Sequence, residues 1–235
     1  MINFFKKKVM IVVAHPDDEL LGIGGTIQKL KSEYNCKIQV VILGEGITSR
    51  DTVRDIDKRN EELNTHQKNI LAAKNILNYD NLSTYQFPDN RFDTVPLLDI
   101  IKVIEKEKNK MNPEVIFTHH GGDLNIDHQI TFKAVITSSR PQNNEKVKSI
   151  FCFETPSATE WQSSNHPSIF KPNLFIEINE NQIEKKIEAM ECYEYEKRKF
   201  PHPRSPEALK ILASYRGLSI GRHYAEAFEL IRGIN

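Results

Sequence analysis

The segment from Ala14 to Glu19 concentrates side chains that could do chemistry. It contains one imidazole, His15, and three carboxyl groups, on Asp17, Asp18 and Glu19. Carboxylates held this close repel each other and raise each other's pKa unless a cation compensates them. One imidazole and one carboxylate begin a catalytic divalent-metal site, which usually has three protein ligands and one position open to water. The segment therefore predicts a metal site that lacks one ligand.

A second segment, residues 119–128, offers candidates for the missing ligand. It contains His119, His120, Asp127 and His128. His128 lies where a helix is predicted to begin and can point back toward the first segment. Asp127 could orient a histidine, because ligating histidines commonly donate their other N–H to a carboxylate, and it could also cap the helix. His119 and His120 are either functional or solvated loop residues.

Both segments follow predicted strands. Val9–Ala14 and Ile38–Leu43 are short β-branched runs typical of buried parallel strands, and Gly25–Tyr34 between them has a helical pattern. Further predicted strands are Leu82–Phe87, Val115–Thr118, Ile150–Phe153 and Leu174–Ile178, and further predicted helices are Arg59–Leu77, Val95–Asn109, Ile126–Ser138, Gln182–Lys199 and Pro206–Tyr215. This alternation predicts an α/β fold. We expect a three-layer, Rossmann-like, mostly parallel sheet with helices on both faces, forming a single domain over residues 1–235.

In such a fold the carboxyl ends of the parallel strands meet at one crevice, where ligands bind. The loops after Ala14, Leu43, Thr118 and Phe153 should therefore converge. This convergence would bring the two chemistry-bearing segments together.

A strand followed by Ala-His-Pro-Asp-Asp-Glu, with a later Asp-His pair at a helix start, resembles the PIG-L/LmbE-like N-deacetylases. The resemblance extends to residues 87–92, 153–156, 201–205 and 225–228. It implies a zinc enzyme that deacetylates N-acetylglucosamine-containing substrates. It further implies that His15, Asp18 and His128 bind zinc and that Asp17 is the general base. Fe²⁺ or Co²⁺ would also suit two imidazoles and a carboxylate.

The chain departs from the family pattern at Asn125, where members often carry a histidine. An asparagine can donate a hydrogen bond to an oxyanion, but it cannot act as a general acid. The leaving amine would then receive its proton from Asp17, or from His119, His120 or His202.

Several polar residues are candidates for substrate binding. Arg54 and Arg59 follow the second predicted strand and could hold an anionic group, or could form a solvated face. Asp89 and Arg91 could shape a pocket or a turn. The stiff loop 201–205 could present its histidine and Arg204 to the site, or could only connect two helices. Trp161 could stack on a sugar ring or pack a loop.

Composition excludes some partners. The chain has 32 basic and 32 acidic residues, so its charge gives no reason to expect nucleic acid. No apolar run approaches the ~20 residues of a membrane span, and Val9–Ala14 is too short for the core of a signal peptide. We therefore expect a cytoplasmic protein without an integral membrane segment, acting on a small-molecule N-acetyl sugar. A homo-oligomer is compatible with the sequence.

Two other functions are compatible with parts of the sequence. The loss of a histidine at Asn125 would suit a catalytically silent metal- or sugar-binding protein. Gly22–Gly25 would suit a nucleotide-dependent oxidoreductase, but the three carboxyl groups before these glycines would repel phosphates. The glycines are better explained by a tight turn and close helix packing.

Overall fold

The two apolar runs nearest the N-terminus form adjacent strands of a seven-stranded sheet. The computed structural model describes residues 3–234. Its strands are β1 (Lys8–Val13), β2 (Lys37–Gly44), β3 (Asn81–Phe87), β4 (Val115–His119), β5 (Ser149–Phe153), β6 (Leu174–Ile178) and β7 (Tyr224–Gly233). Its α-helices are α1 (Asp18–Ser32), α2 (Asn60–Leu77), α3 (Leu97–Met111), α4 (Ile126–Ser138), α5 (Glu180–Glu191) and α6 (Pro206–Leu218).

The strand order is β3-β2-β1-β4-β5-β7-β6. Strands β1 to β5 pair in parallel, whereas β7 runs antiparallel to both β5 and β6. The chain leaves β1 toward β2 and later returns to its other side with β4. The carboxyl ends of β1 and β4 therefore border the point where the winding reverses, which is where ligands bind in sheets of this type.

Two apolar clusters cover the two faces of the sheet. Alternate residues of β1 divide between them, with Val9 and Ile11 on one face and Met10 and Val12 on the other. Helices α1, α2, α5 and α6 contribute buried residues to the first cluster, and α3 and α4 contribute to the second. The predicted three-layer, mostly parallel α/β fold is confirmed.

Helix α1 begins seven residues earlier than predicted, so the glycines lie inside it. An added Cβ at Gly22 would meet the ring of Phe153 at 2.1 Å. The predicted close packing is confirmed and the predicted tight turn is wrong. The glycines therefore form no loop that could cradle a pyrophosphate, which removes the structural basis of the oxidoreductase alternative.

A buried ion pair joins the C-terminal part of the chain to α1. The Glu226 carboxylate accepts hydrogen bonds from the backbone N–H groups of Gly25 and Thr26, at 3.1 and 2.7 Å. Lys186 Nζ donates to Glu226 at 2.6 Å and to the carbonyl of Leu21 at 2.9 Å. Because α1 begins at Asp18, these contacts help to fix the helix that carries a predicted metal ligand.

The end of the chain differs from the prediction. Helix α5 ends at Glu191 rather than Lys199, and strand β7 follows α6, where the sequence suggested that helices close the fold. Residues 225–230, Ala-Glu-Ala-Phe-Glu-Leu, have helical propensity, but pairing with β5 and β6 makes them a strand. Within residues 3–234, no helix is both long enough and apolar enough to cross a bilayer.

Candidate metal centre and its cavity

The loop after β1 places His15, Asp17 and Asp18 at the carboxyl end of that strand. Asp17 has a φ of +93°, a left-handed conformation that costs a non-glycine residue about 1–3 kcal/mol. Its N–H donates to Glu19 Oε2 at 3.1 Å. Although Asp17 occupies the N-cap position of α1, its side chain makes no capping hydrogen bond. Helix capping therefore does not explain this carboxylate.

His15 is oriented by Asp127. The ring Nε2 lies 2.9 Å from Asp127 Oδ2, and Asp127 Oδ1 accepts the backbone N–H of Phe92 at 2.9 Å. Nε2 therefore carries a hydrogen, which leaves Nδ1 pointing toward Asp18 Oδ2 at 3.6 Å. The alternative that Asp127 caps α4 is wrong, because Asn125 is the cap and its Oδ1 accepts the Asp127 N–H.

His128 also lies between two carboxylates, although its Nδ1 has no hydrogen-bond partner among residues 3–234. Its Nδ1 lies 3.1 Å from Asp123 Oδ1, and its Nε2 lies 3.4 Å from Asp18 Oδ2. Burial acts to lower the pKa of His128, but the charges of Asp18 and Asp123 raise it to about 9. Burial also acts to lower the pKa of His15, but its hydrogen bonds to Asp127 and Asp18 raise that pKa well above the usual value. The site thus stabilises positive charge.

The donor atoms of these residues fit a divalent metal ion. Ligand atoms of His15, Asp18 and His128 all lie within 4.8 Å of one another, and all three residues are buried. Tetrahedral zinc with bonds of about 2.0 Å separates its ligand atoms by about 3.3 Å. The separations of Asp18 Oδ2 from the two rings, 3.4 and 3.6 Å, are close to that value.

A second group of possible ligands, His15, Asp89 and Asp127, meets the same distance criterion. It would have to use the His15 Nε2 atom, which already donates to Asp127. Asp89 Oδ2 accepts both the backbone N–H and the hydroxyl of Ser49. The first group, His15, Asp18 and His128, is therefore the better candidate for a metal site.

His119 lies beside this site but is not available as a ligand. Its Nε2 accepts the Ala14 N–H at 3.0 Å, so its Nδ1 carries the hydrogen and donates to Thr155 at 3.1 Å. Burial and the charge of His128 lower its pKa to about 4. Its ring stacks on that of His128, with centroids 3.8 Å apart and planes within 7°. His119 therefore supports the ring of a predicted ligand and is neutral.

Asp17 lies between the candidate ligands His15 and Asp18 in sequence and contacts the C-terminal loop that carries Arg204. Its Oδ2 accepts a hydrogen bond from Arg204 Nη1 at 2.9 Å, and the same Nη1 donates to Glu196 at 2.7 Å. Burial raises the pKa of Asp17 well above its usual value, although the charge of Arg204 acts to lower it. A carboxylate with a raised pKa is suited to accepting a proton.

A cavity of about 670 Å³ opens over these groups. It is lined by loops from both halves of the chain. The lining residues include His15, Asp17, Arg50, Asp89, Asn90, Asn125, His128, Ser157, Trp161, Glu196, Arg198, His202 and Arg204. Of the predicted site residues, the structure thus brings two predicted metal ligands, His15 and His128, to one surface with Asp17, Asn125, Asp89, His202 and Arg204.

Five residues predicted to bind substrate do not line this cavity in the structure. Arg54 pairs with Glu45 through two nitrogens at 2.8 Å, Arg59 pairs with Asp51 and Glu62, and Arg91 donates to the carbonyl of Thr52. His120 uses both ring nitrogens, on Glu229 and on the carbonyl of Ser168. His119 is buried behind the metal group, as described above. None of the five lines the cavity.

Two cavity residues, Glu196 and Arg198, were not predicted from the sequence. Both fall in a stretch that the pattern predicts to be helical, but α5 ends before them at Glu191 and both line the cavity. Arg50 precedes Arg54 and Arg59, which were the predicted substrate-binding arginines, but it alone of these three lines the cavity. Asp123 could have been found, because it precedes a predicted ligand by five residues in a loop at a strand end.

Comparison with known proteins gives a consistent result. Residues 10–139 match the model of the PIG-L family, described as GlcNAc-PI de-N-acetylase. The chain is 27% identical over 190 residues to the uncharacterized deacetylase YaiS of Escherichia coli, covering 79% of this chain and 89% of that protein. It is 24% identical over 190 residues to a probable N-acetyl-α-D-glucosaminyl L-malate deacetylase of Bacillus anthracis, covering 80% of each.

Among solved structures, the N,N′-diacetylchitobiose deacetylase of Pyrococcus horikoshii is similar, with a TM-score of 0.74 and 21% identity. The alignment covers 97% of this chain and 84% of that one. At this identity the likeness establishes the shared fold.

Proposed function

The chain belongs to the PIG-L (GlcNAc-PI de-N-acetylase) family, and from this premise we propose that it is a zinc-dependent hydrolase that removes the acetyl group from an N-acetylated amino sugar or its conjugate. The observation that carries the proposal is the meeting of His15, Asp18 and His128 beside Asp17 at the cavity. The relatives support the reaction class, because all three are named as deacetylases and two of the names specify an N-acetylated sugar.

The three proposed ligands would hold the metal ion through two ring nitrogens and one carboxylate oxygen. A zinc ion held there would polarise the acetyl carbonyl and bring the pKa of a water to about 7. Asp17 then accepts the proton that the attacking water loses. Among residues 3–234 its Oδ1 has no hydrogen-bond partner, so this oxygen is free to take that proton.

The departing amine needs a proton, and the structure leaves fewer candidates for the residue that donates it. Both ring nitrogens of His119 and of His120 are occupied. His202 lines the cavity, and its Nδ1 accepts the backbone N–H of Arg204 at 3.1 Å. Burial and the charges of two arginines lower the pKa of His202, so at neutral pH it is a hydrogen-bond donor rather than an acid. We therefore assign the return of the proton to Asp17.

Asn125 supplies the donor that other members obtain from a histidine. Its Oδ1 caps α4, and one hydrogen of its Nδ2 goes to Asn90 at 2.9 Å. The second hydrogen remains for the oxyanion that forms at the acetyl carbon. Trp161, 52% exposed at the cavity, offers a face on which a sugar ring can stack.

The test is a screen of the zinc-loaded protein for acetate release from free, nucleotide-linked and lipid-linked N-acetyl sugars. We expect one acetate and one free amine for each substrate consumed. The variant Asp17→Asn should retain zinc while kcat falls by about 10²–10⁴-fold. Stoichiometric zinc without acetate release from any substrate would instead support a catalytically silent binding protein, which the replacement of a histidine by Asn125 would favour.

A further inference from the structure

We propose that Arg204 is a positioning residue that holds the Asp17 carboxylate in its working orientation, and that Glu196 and Arg50 hold Arg204 in turn. The inference deepens the proposed deacetylase function and rests on it. It assigns a role to charged groups that the metal site itself does not use.

The geometry around Arg204 carries the argument. Nη1 donates to Asp17 Oδ2 at 2.9 Å and to Glu196 Oε2 at 2.7 Å. Nε donates to the Ser157 hydroxyl at 2.8 Å. Three hydrogen bonds from two nitrogens fix the guanidinium plane, which is how arginine achieves a rigidity that lysine lacks.

The other side of Glu196 is also paired. Its Oε1 accepts a hydrogen bond from Arg50 Nη2 at 2.5 Å. Four charges thus alternate in sign along one cavity wall, from Arg50 through Glu196 and Arg204 to Asp17. The two carboxylates are 8% and 2% exposed, and carboxylates this buried need such partners to remain charged.

In this arrangement the two carboxylate oxygens of Asp17 have different surroundings. Arg204 occupies Oδ2, and Oδ1 has no hydrogen-bond partner within residues 3–234. The backbone of Asp17, at a φ of +93°, fixes the base of the side chain while Arg204 fixes its tip. A catalytic base must lie within hydrogen-bonding distance of the proton it removes, and a displacement of about 1 Å can cost about 10²-fold in rate.

Arg204 could instead act by binding substrate, since it lines the cavity and its Nη2 makes no hydrogen bond within the described chain. The two roles predict different kinetics. A residue that only binds substrate raises KM when it is removed, whereas a residue that positions the base lowers kcat.

The experiment compares Arg204→Gln and Arg204→Lys with the wild-type protein at saturating zinc. We expect Arg204→Gln to lower kcat by about 10²-fold while KM changes by less than about threefold. Arg204→Lys should recover part of that loss, because one ammonium can contact either carboxylate but not hold both in a plane. In Arg204→Ala, millimolar guanidinium should raise kcat, and a primary alkylammonium of similar size should do so less.

The matched control is Arg216→Gln. Arg216 donates through Nε and Nη2 to Glu154 in the same C-terminal part of the chain, but it does not line the cavity. The Arg216→Gln variant should leave kcat and KM within about twofold of wild type. An increase in KM with unchanged kcat in Arg204→Gln would overturn the proposal, and so would a kcat loss of equal size in the control.

A measurement without substrate separates this proposal from the proposed function. The shift in Tm caused by Asp17→Asn is compared in the wild-type and Arg204→Gln backgrounds. We expect it to be more positive in the second background, by about 3 °C or more, because Asp17 there has lost its cation. Equal shifts would show that the two residues are not coupled and would overturn the proposal even if no N-acetyl sugar proved to be a substrate.

Discussion

Residues 10–139 and residues 140–234 contribute different things to the same cavity. The first region, which matches the family model, supplies every proposed metal ligand and both carboxylates that orient the histidines, Asp123 and Asp127. The second region supplies much of the opposite wall, including Trp161, Glu196 and Arg204. The proposed metal ligands thus lie on loops and helix starts that follow parallel strands, whereas irregular segments of the second region complete the cavity.

The two regions are not independent in structure. The Lys186–Glu226 pair belongs entirely to the second region but makes hydrogen bonds to α1 of the first. The second region therefore also supports the helix that carries Asp18. The following variants test this division, in order of decreasing expected effect.

The first variant removes a proposed metal ligand from residues 10–139. His128→Ala should lose zinc and at least about 10³-fold in activity, because two ligands do not make a catalytic site. The measurement is the metal content of the purified protein, together with acetate release. The control is His166→Ala, which removes an imidazole from an exposed loop and should keep its zinc. Full zinc occupancy in His128→Ala would refute the ligand assignment.

The second variant, His66→Leu, tests a contact between the two regions. His66 is 1% exposed, and its ring packs edge-on against Tyr193 of the second region, with centroids 5.6 Å apart. Neither ring nitrogen has a hydrogen-bond partner among the described residues. Burial, with the charge of Arg50, lowers the pKa of His66 to about 4. The folded protein therefore resists protonation that the unfolded chain accepts at its ordinary pKa of 6.5.

Stability is consequently lost as the pH falls from 6.5 to about 4. At about 1.4 kcal/mol per pKa unit the loss is about 3 kcal/mol. His66→Leu should lack this contribution, so its free energy of unfolding should fall less than that of wild type between pH 7.5 and pH 4. Urea denaturation at the two pH values measures the difference, and the substitution His166→Leu, at a half-buried loop position, provides the control. Parallel losses in His66→Leu and wild type would show that this ring is not the sensitive group.

The third variant weakens an orienting carboxylate without touching a ligand. In Asp123→Asn the contact to His128 Nδ1 changes from a charged to a neutral acceptor. Zinc affinity should fall by about 10–100-fold, with kcat little changed once zinc is saturating. Competition with a metal chelator measures the affinity, and the exposed substitution Asp93→Asn serves as the control. Unchanged affinity would mean that the His128 ring is held by its stacking on His119 alone.

The smallest effect is expected for Arg54→Gln. Nε and Nη2 of this guanidinium both donate to Glu45, outside the cavity. KM and kcat should stay within about twofold of wild type for anionic and neutral substrates alike. A rise in KM confined to anionic substrates would show that Arg54 turns into the cavity when substrate binds, and the first region would then contribute to specificity as well as chemistry.

Local pattern predicted the elements that carry the chemistry. The bounds of α4 and β6 agree with prediction, and β1 and β4 agree to within one residue. Strands β1 and β4 are buried parallel strands, and their continuous apolar runs can be recognised from short-range sequence information. Strand β7 was missed because its alanines, glutamates and leucine favour a helix when no neighbouring strands are considered.

The sequence by itself determined that an imidazole and adjacent carboxylates follow one buried strand and that another imidazole begins a helix after a second strand. The adjacency of β1 and β4 follows from the winding of a parallel sheet. Because His15, Asp18 and His128 follow these two strands, their meeting could be predicted. Only the tertiary structure decided which arginines face the cavity. The sequence does not distinguish Arg54 from Arg204, and each pairs with the carboxylates that the fold brings near it. Arg54 pairs with Glu45, nine residues away, whereas Arg204 pairs with Asp17 and Glu196. The orientation of a long charged side chain is set by partners that can lie far away along the chain, and local pattern carries no record of them.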